Sequence, residues 1–573
     1  MKTAGGLAPC TGLGGLRIYV ELARPLKFEA GRLVLLVAIP KPGHCDPMEF
    51  DPKSCETTVF DALLDARRRH GGQKVIVEDS EKQALTYDRL VLGSLVLGSK
   101  VVAGTTHGET VGVLLPNVSG LVVTFFALHA FGRVPAMLNF SAGQRNIVSS
   151  AKTALLHTVV TSRRFVDAAK LEGVIAALEK TEVTPGNTVR IVYLEDIRKK
   201  IGTLDKVLGV MRSKMARGFH RKHGNKPGSP AVVLFTSGTE GDPKGVVLTN
   251  RNLIANSNQM FAHANGEFTS KDIVMNPLPM FHSFGLTAGT VMPIVNGMRV
   301  QLYPTPLHYR QIPQLIKEKG ATVLFATDTF LLGYARAADE GDLATMRFVV
   351  AGAERVKEQT RKLWTKIGTD ILEGYGATEC APVIACNLPG ENRPGTVGRA
   401  LPGMDLKLEP VEGIETGGRL MIKGPNVMAG YVYSDPPGVV VPPTDGWHDT
   451  GDIVEIDDEG YIAIKGRAKR FAKIGGEMVS LAAVETLAAN TWPEGQHVVV
   501  NLPDPRKGEQ LILVTDTADA DKDVLLQHAR EHGFPELWVP KHIMVVANIP
   551  VMGSGKVDLP ATTALARQTR PLL

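Results

Sequence analysis

Short apolar runs alternate with helical stretches over most of this chain, and no other feature of the sequence restricts its fold as strongly. Residues 111–115, 158–161, 189–194, 231–236, 300–303, 323–326 and 348–351 are strand candidates. Several carry no polar face: Ala231-Val232-Val233-Leu234-Phe235 is apolar throughout, the pattern of a strand covered on both sides. The segments between them have helical periodicity. Val59, Leu63 and Leu64, for example, predict an amphipathic helix over 57–70 that ends at Gly71-Gly72. Strands separated by helices argue for an α/β sheet. Later the texture changes. Residues 395–465 are rich in glycine and alternating strands, which predicts a small β subdomain, and those after Arg467 read as an α+β tail.

Residues 1–50 pattern differently, with short strands expected at 16–21 and 33–39 and a Pro-rich linker at 40–52; they are read as an N-terminal extension. No apolar core of signal-peptide length follows the first residues. The longest apolar run, 120–138, is interrupted by His129 and Arg133, whereas a spanning helix needs about 20 mostly apolar residues. It is read as a buried helix leading into a strand. With 44% hydrophobic and 21% charged residues in 573, the composition excludes disordered, collagenous and coiled-coil chains. A net charge of +5 is too small to argue for nucleic acid. The five cysteines (Cys10, Cys45, Cys55, Cys380 and Cys386) form no C-x-x-C pair, which predicts packed thiols in a reducing, cytoplasmic compartment.

The strongest local signal is Phe235-Thr236-Ser237-Gly238-Thr239-Glu240-Gly241-Asp242-Pro243-Lys244-Gly245, directly after an apolar strand. Glycines let backbone N–H groups approach an anion, hydroxyls add donors, and the lysine supplies a point charge for phosphate. It is not the NTPase P-loop, because G-x-x-x-x-G-K-[ST] occurs nowhere in the chain.

With this motif the chain resembles the adenylate-forming acyl-activating enzymes, which include acyl-CoA synthetases, peptide-synthetase adenylation domains and luciferases, over about residues 55–560. The resemblance implies a large N-terminal domain (51–466) of stacked α/β sheets with the small β subdomain, and a small mobile α+β C-terminal domain (467–573). It implies that Thr236, Ser237, Gly238, Thr239, Gly241 and Lys244 cradle the phosphates of ATP. Leu278-Pro279-Met280-Phe281-His282-Ser283-Phe284-Gly285 matches the segment beside the acyl site, so His282 and Phe284 are expected to touch the substrate. Ala351-Gly352-Ala353-Glu354 resembles the end of the adenine-pocket strand. In Glu373-Gly374-Tyr375-Gly376-Ala377-Thr378-Glu379 the resemblance puts Tyr375 on adenine, with Gly376 beside it, Thr378 on phosphate, and Glu379, with Thr236, on magnesium. Asp452, in Trp447-His448-Asp449-Thr450-Gly451-Asp452, falls at the ribose-binding carboxylate; His448 departs from the pattern, since aromatic residues are frequent there. Gly466-Arg467-Ala468-Lys469 supplies a ribose-contacting Arg467 and the hinge, Lys469. Pro550-Val551-Met552-Gly553-Ser554-Gly555-Lys556 ends at the catalytic lysine.

Each assignment suits its residue. Glu379 is a hard oxygen ligand fit for magnesium between phosphates. Lys556 can meet charge developing as a carboxylate attacks the α-phosphate. Taken singly, His282 reads as a packed histidine, Asp452 as a turn residue and Lys556 as the tip of a surface turn. Their shared order along more than 300 residues sets those readings aside.

Wording between the motifs is similar to the acyl-acyl carrier protein synthetase half of the bifunctional 2-acylglycerophosphoethanolamine acyltransferases. Pro306-Leu307-His308-Tyr309-Arg310 and Gly475-Gly476-Glu477-Met478-Val479-Ser480-Leu481 are examples. The acyltransferase centre of that family, H-x-x-x-x-D, is absent from all 15 histidines. The function this implies is a ligase that uses ATP and Mg2+ to activate a fatty acid as its acyl-adenylate. It then passes the acyl group to the phosphopantetheine thiol of holo-acyl carrier protein. Coenzyme A is the rival acceptor, and an inactive nucleotide-binding paralogue the rival of another kind.

One basic run lies outside these motifs. Residues 206–226 hold seven Lys/Arg and no Asp or Glu, while Leu208, Met211, Met215 and Phe219 recur at helical spacing. A helix here would lie in an anionic membrane interface, making the protein peripheral on the inner face of the cell membrane. An exposed loop and a dock for an acidic carrier protein fit the same charges.

Overall fold

In the computed structural model the apolar runs become strands of two sheets that share a layer of helices. The structure describes residues 50–568 apart from 83, 237–241, 412, 413, 415, 475, 476, 505–507 and 552–556. The strands expected at 16–21 and 33–39 therefore lie outside the described residues. Contacts divide the chain into two units, Met1–Asp46 and Pro47–Leu573, and all that follows belongs to the second.

Among the described residues the first sheet has nine strands, running from Arg399–Ala400 at one edge to Ala84–Thr86 at the other. Its middle strands, Ile371–Gly376, Phe348–Ala351, Val323–Ala326, Ile273–Asn276, Arg299–Leu302 and Val75–Glu78, are parallel in that order. The second sheet has eight strands. Pro230–Thr236, Val134–Met137, Thr110–Val113, Thr158–Thr161 and Arg190–Tyr193 are parallel, and Lys244–Thr249 and Gly430–Val432 extend the sheet antiparallel beyond Pro230–Thr236. All seven expected runs are strands, with ends moved by two residues or fewer.

One core joins the two sheets. Ile76 and Val300 of the first and Val111, Leu234 and Val246 of the second cluster with Phe60, Leu63, Phe125 and Leu253 from three helices, Val59–His70, Ser119–Ala130 and Asn250–His263. Ser119–Ala130 has no polar face because it lies in this layer, and even His129 is buried there, its Nδ1 2.8 Å from the Phe125 carbonyl.

The glycine-rich stretch forms a four-stranded antiparallel sheet, Asp405–Glu409, Gly418–Lys423, His448–Ile456 and Ile462–Arg467, as expected of a β subdomain. A single 3-10 turn, Ala468–Arg470, leads from it into a five-stranded sheet packed with the helices Leu481–Thr491, Lys522–Glu531 and Leu559–Gln568. The chain is thus a mixed α/β protein with a large N-terminal sheet region and a smaller C-terminal one.

The basic run is helical rather than a loop, but it is not one helix. It folds as Thr203–Lys214 and Ala216–His223, parted at Met215, whose φ of −112° and ψ of 27° leave helical geometry. The expected stripe is split by that break. Met211 and Met215 are 54% and 65% exposed, whereas Phe219 turns inward and meets Phe131 edge-on at 5.1 Å. Among the described residues no helix is long and apolar enough to cross a membrane.

Candidate active site

Thr236 ends one strand and Lys244 begins the next, and antiparallel pairing puts the two residues directly opposite each other. The Thr236 hydroxyl oxygen is buried and has no hydrogen-bond partner among the described residues. Ser237, Gly238, Thr239 and Gly241, expected on the same phosphates, lie outside the described residues. Lys244 reaches across the sheet, its Nζ 3.9 Å from the centre of the Tyr431 ring. The Tyr431 hydroxyl donates in turn to Glu379 Oε1 at 2.6 Å. Burial first, and the Glu379 carboxylate second, push the Tyr431 phenol far above its ordinary range, so it remains a donor. A cation, an aromatic hydroxyl and a carboxylate thus form one chain beside a hydroxyl that has no partner among the described residues.

This chain tests whether a divalent cation suits the site. Among the described residues no group of three or more His, Cys, Asp or Glu side chains could hold a metal alone. Glu379 and the unpartnered Thr236 hydroxyl are hard oxygen donors. Such a sparse set fits magnesium, which takes one or two protein oxygens and completes its shell with water and phosphate.

A second polar group lies where the first sheet meets the β subdomain. Tyr375, at the end of Ile371–Gly376, donates its hydroxyl to Asp452 Oδ2 at 2.5 Å. Asp452 pairs with Arg467 across adjacent strands, and Arg467 Nε lies 3.1 Å from Oδ1. Burial raises the Asp452 carboxyl above its usual range, an effect the Arg467 guanidinium opposes. His448 is buried nearby, and burial holds its imidazole below the ordinary value despite the Glu379 carboxylate.

Beside Tyr375 and Thr378 opens a cavity of 340 Å³. Tyr375, Gly376, Ala377 and Thr378 line one part of it, and Gly352 and Ala353 another. His282 and Phe284 line it where the chain enters a wide π-helical segment, Phe284–Val291. Ser283 ties that segment to Thr378 through a hydroxyl contact of 3.4 Å. Phe140, Phe281, Phe325, Phe330 and Met260 make the rest of the wall largely apolar. Gly352 keeps the passage open: a Cβ there would come within 3.2 Å of the Phe284 ring. Gly376 cannot carry one at all, since the Cβ would fall 2.4 Å from the Pro382 carbonyl oxygen. An apolar acid would fit this wall, with its polar end toward Thr378.

Of the residues expected in the site, His282, Phe284, Gly352, Ala353, Tyr375, Gly376 and Thr378 line the cavity, whereas Thr236, Lys244 and Glu379 belong to the first polar group and Asp452 and Arg467 to the second. Glu354 does not line the cavity; it accepts hydrogen bonds from the Thr329 N–H (3.0 Å) and hydroxyl (2.8 Å) at the start of the helix Asp328–Ala337. Lys469 belongs to the turn after Arg467, its side chain outside the described residues, and Lys556 lies outside them entirely. Three contributors were given no role by the sequence: Tyr431, Ser283, and Thr327, whose buried hydroxyl at the cavity wall has no partner among the described residues.

Comparison with known proteins agrees with this geometry. Residues 64–432 match the model of the family described as AMP-binding enzyme. A long-chain-fatty-acid–CoA ligase from Yersinia pestis is 26% identical over 544 residues, covering 89% of this chain and 94% of that protein. A medium-chain fatty-acid–CoA ligase from Escherichia coli (strain K12) is 26% identical, covering 85% and 86%. Among solved structures, ATP-bound MatB from Rhodopseudomonas palustris superposes with a TM-score of 0.74 at 24% identity, covering 89% of this chain and 98% of that one.

Proposed function

Because the chain belongs to the AMP-binding enzyme family, we propose that it is an ATP- and Mg2+-dependent acid–thiol ligase for fatty acids. The observation that carries this is the Lys244–Tyr431–Glu379 chain beside Thr236, together with a largely apolar cavity lined by Thr378, the neighbour of Glu379. Fatty acid would lie in the cavity past His282 and Phe284, its carboxylate toward Thr378. A carboxylate oxygen attacks the α-phosphorus of ATP; the bond from that phosphorus to the bridging oxygen breaks and pyrophosphate leaves. Thr236 and Lys244 hold the departing phosphates, and Lys244 neutralises their charge. Magnesium, held by Glu379 and Thr236, supplies further charge neutralisation on the phosphates. Asp452 accepts from the ribose hydroxyls with Arg467 beside it, and Tyr375, Gly376, Gly352 and Ala353 bound the adenine. Lys556 is assigned to the developing charge of this first step.

A thiolate then attacks the acyl carbon, forming the thioester and releasing AMP. We assign the thiol to coenzyme A, a reading supported by relatives named as CoA ligases over most of the chain. The carrier-protein reading rests on wording such as Pro306-Leu307-His308-Tyr309-Arg310. We also take residue 467 as the start of the mobile part and Lys469 as its pivot, because a single short turn joins the two sheets there. The reading includes a cytoplasmic enzyme that visits the inner membrane face, where apolar substrate concentrates. Fatty-acid-dependent ATP–pyrophosphate exchange tests the first step. Thioester formation with coenzyme A or holo-carrier protein, assayed separately, tests the second. No exchange with any fatty acid would end the ligase reading, and turnover with carrier protein alone would end the coenzyme A assignment.

A further inference from the structure

The helices Thr203–Lys214 and Ala216–His223 carry a surface feature that the proposed chemistry does not use. Leu204 is 71% exposed, Val207 51%, Met211 54% and Met215 65%. Spaced at three and four residues, Leu204, Val207 and Met211 fall within about 60° of arc on the first helix, and Met215 follows at its C-terminal end, so they form one ridge. Isolated exposed apolar residues need no explanation, but a contiguous line of large ones does.

The ridge is built rather than frayed. Gly209 on the opposite face lets Thr203–Lys214 press onto the helix Tyr87–Val101, where a Cβ would stand 2.2 Å from Val96 Cγ2. Lys100 pairs with Asp205 at 2.8 Å, and the Gly202 N–H donates to the same carboxylate at 2.9 Å. The second helix is fastened by Arg217 to Asp65 at 2.6 Å and by His220 to the Thr58 hydroxyl at 2.8 Å. The inner faces of both helices are thus satisfied, and the apolar ridge is held outward. Lys214 adjoins the ridge on the first helix and Arg221, Lys222 and Lys226 are exposed further along the chain, while Asp205, the one acid between Arg198 and Lys226, is already paired.

We propose that this ridge is a membrane-docking surface, whose occupant is the interface of an anionic lipid bilayer. This extends the membrane visit in the proposed function but does not depend on the ligase chemistry. Charge complementarity argues for it: exposed Lys214 adjoins the apolar line and three more exposed cations follow within twelve residues, as in helices that lie in the headgroup region with their apolar side among the acyl chains. A carrier protein would use the cations but leaves the outward apolar line unexplained.

The test is sedimentation of the full chain with vesicles of phosphatidylcholine containing phosphatidylglycerol, against vesicles of phosphatidylcholine alone. Wild type is expected to pellet with the anionic vesicles at low salt and to be released as salt rises. Met211→Glu plus Met215→Glu should lower the partition coefficient roughly tenfold, with unchanged melting temperature and pyrophosphate exchange. Wild type that stays in the supernatant overturns the proposal. So does a double variant that still pellets like wild type, which would put any membrane contact elsewhere. Loss of binding to holo-acyl carrier protein in the double variant, without vesicle binding by wild type, would also overturn it and assign the ridge to a protein. Because exchange is read separately, a failed ligase assay and a failed docking assay are distinguishable.

Discussion

Replacing Tyr431 by phenylalanine removes one atom from the candidate site and leaves the ring under Lys244 in place. The hydroxyl donates to Glu379 at 2.6 Å, whereas the Lys244 ammonium meets the ring centre at 3.9 Å, so the two contacts separate cleanly by mutation. A hydrogen bond to a charged acceptor is worth roughly 1.5–3 kcal/mol. Tyr431 is half-buried, which favours the lower end, about 1.5–2 kcal/mol, or a 10- to 30-fold effect. That free energy holds the Glu379 carboxylate in one orientation, and without it the carboxylate must be ordered as the metal–nucleotide complex binds. Tyr431→Phe should therefore lower kcat/KM for ATP in pyrophosphate exchange by about 10- to 30-fold. Tyr431→Leu also deletes the cation–ring contact and should fall a further two- to fivefold, from about 0.5–1 kcal/mol. Because burial keeps the phenol protonated, the ratio of variant to wild type should be flat between neutral and mildly alkaline pH. The assay is initial-rate exchange at subsaturating ATP over a magnesium titration, with melting temperatures as the folding control. A phenylalanine variant within twofold of wild type would refute the assigned role of the hydroxyl, and equal losses in the two variants would refute that of the cation–ring contact.

Three further outcomes are expected. Lys556→Ala should abolish adenylate formation from fatty acid yet largely spare thioester formation from preformed acyl-adenylate, because charge develops on phosphate only in the first step; equal loss in both half-reactions would make Lys556 structural. Lys469→Pro fixes φ at about −65° in the turn between the two sheets, so adenylation should survive while thioester formation drops sharply; equal activity in both steps would show that the pivot lies elsewhere. His129 supplies an acid-sensitive element of stability, because burial lowers its pKa from the ordinary 6.5 to about 4. Between those values the unfolded chain binds a proton that the folded chain refuses, so stability falls as pH drops from 6.5 to 4, by up to about 3 kcal/mol. His129→Leu should flatten that part of the melting-temperature profile, and parallel profiles for variant and wild type would exclude His129 as the source.

Local pattern was enough for much of this molecule. Runs such as 231–236 and 348–351 are almost wholly apolar, the pattern of a short strand covered on both faces, and both are such strands. The run 120–138 could be read as a buried helix and a strand because its length and its interruptions are properties of neighbouring residues. Of the phosphate motif, whose residue types serve one chemistry, Thr236 and Lys244 are among the described residues; the Tyr375–Glu379 segment and Asp452 were legible only through the shared order of several motifs. Partners far apart in the chain were not. Tyr431 meets Glu379 only because Gly430–Val432 adds to the edge of the second sheet beside Lys244–Thr249, a consequence of topology that no local period encodes. Glu354 sits inside a motif, yet the tertiary fold turns it to the N-terminus of the helix Asp328–Ala337. The basic run shows the same division. Its helical spacing is written in the sequence, but the spacing of Leu208, Met211, Met215 and Phe219 does not reveal which members face solvent. A break at Met215 and the docking of Gly209 on Val96 decide that, because burial depends on what packs against a helix rather than on the helix alone.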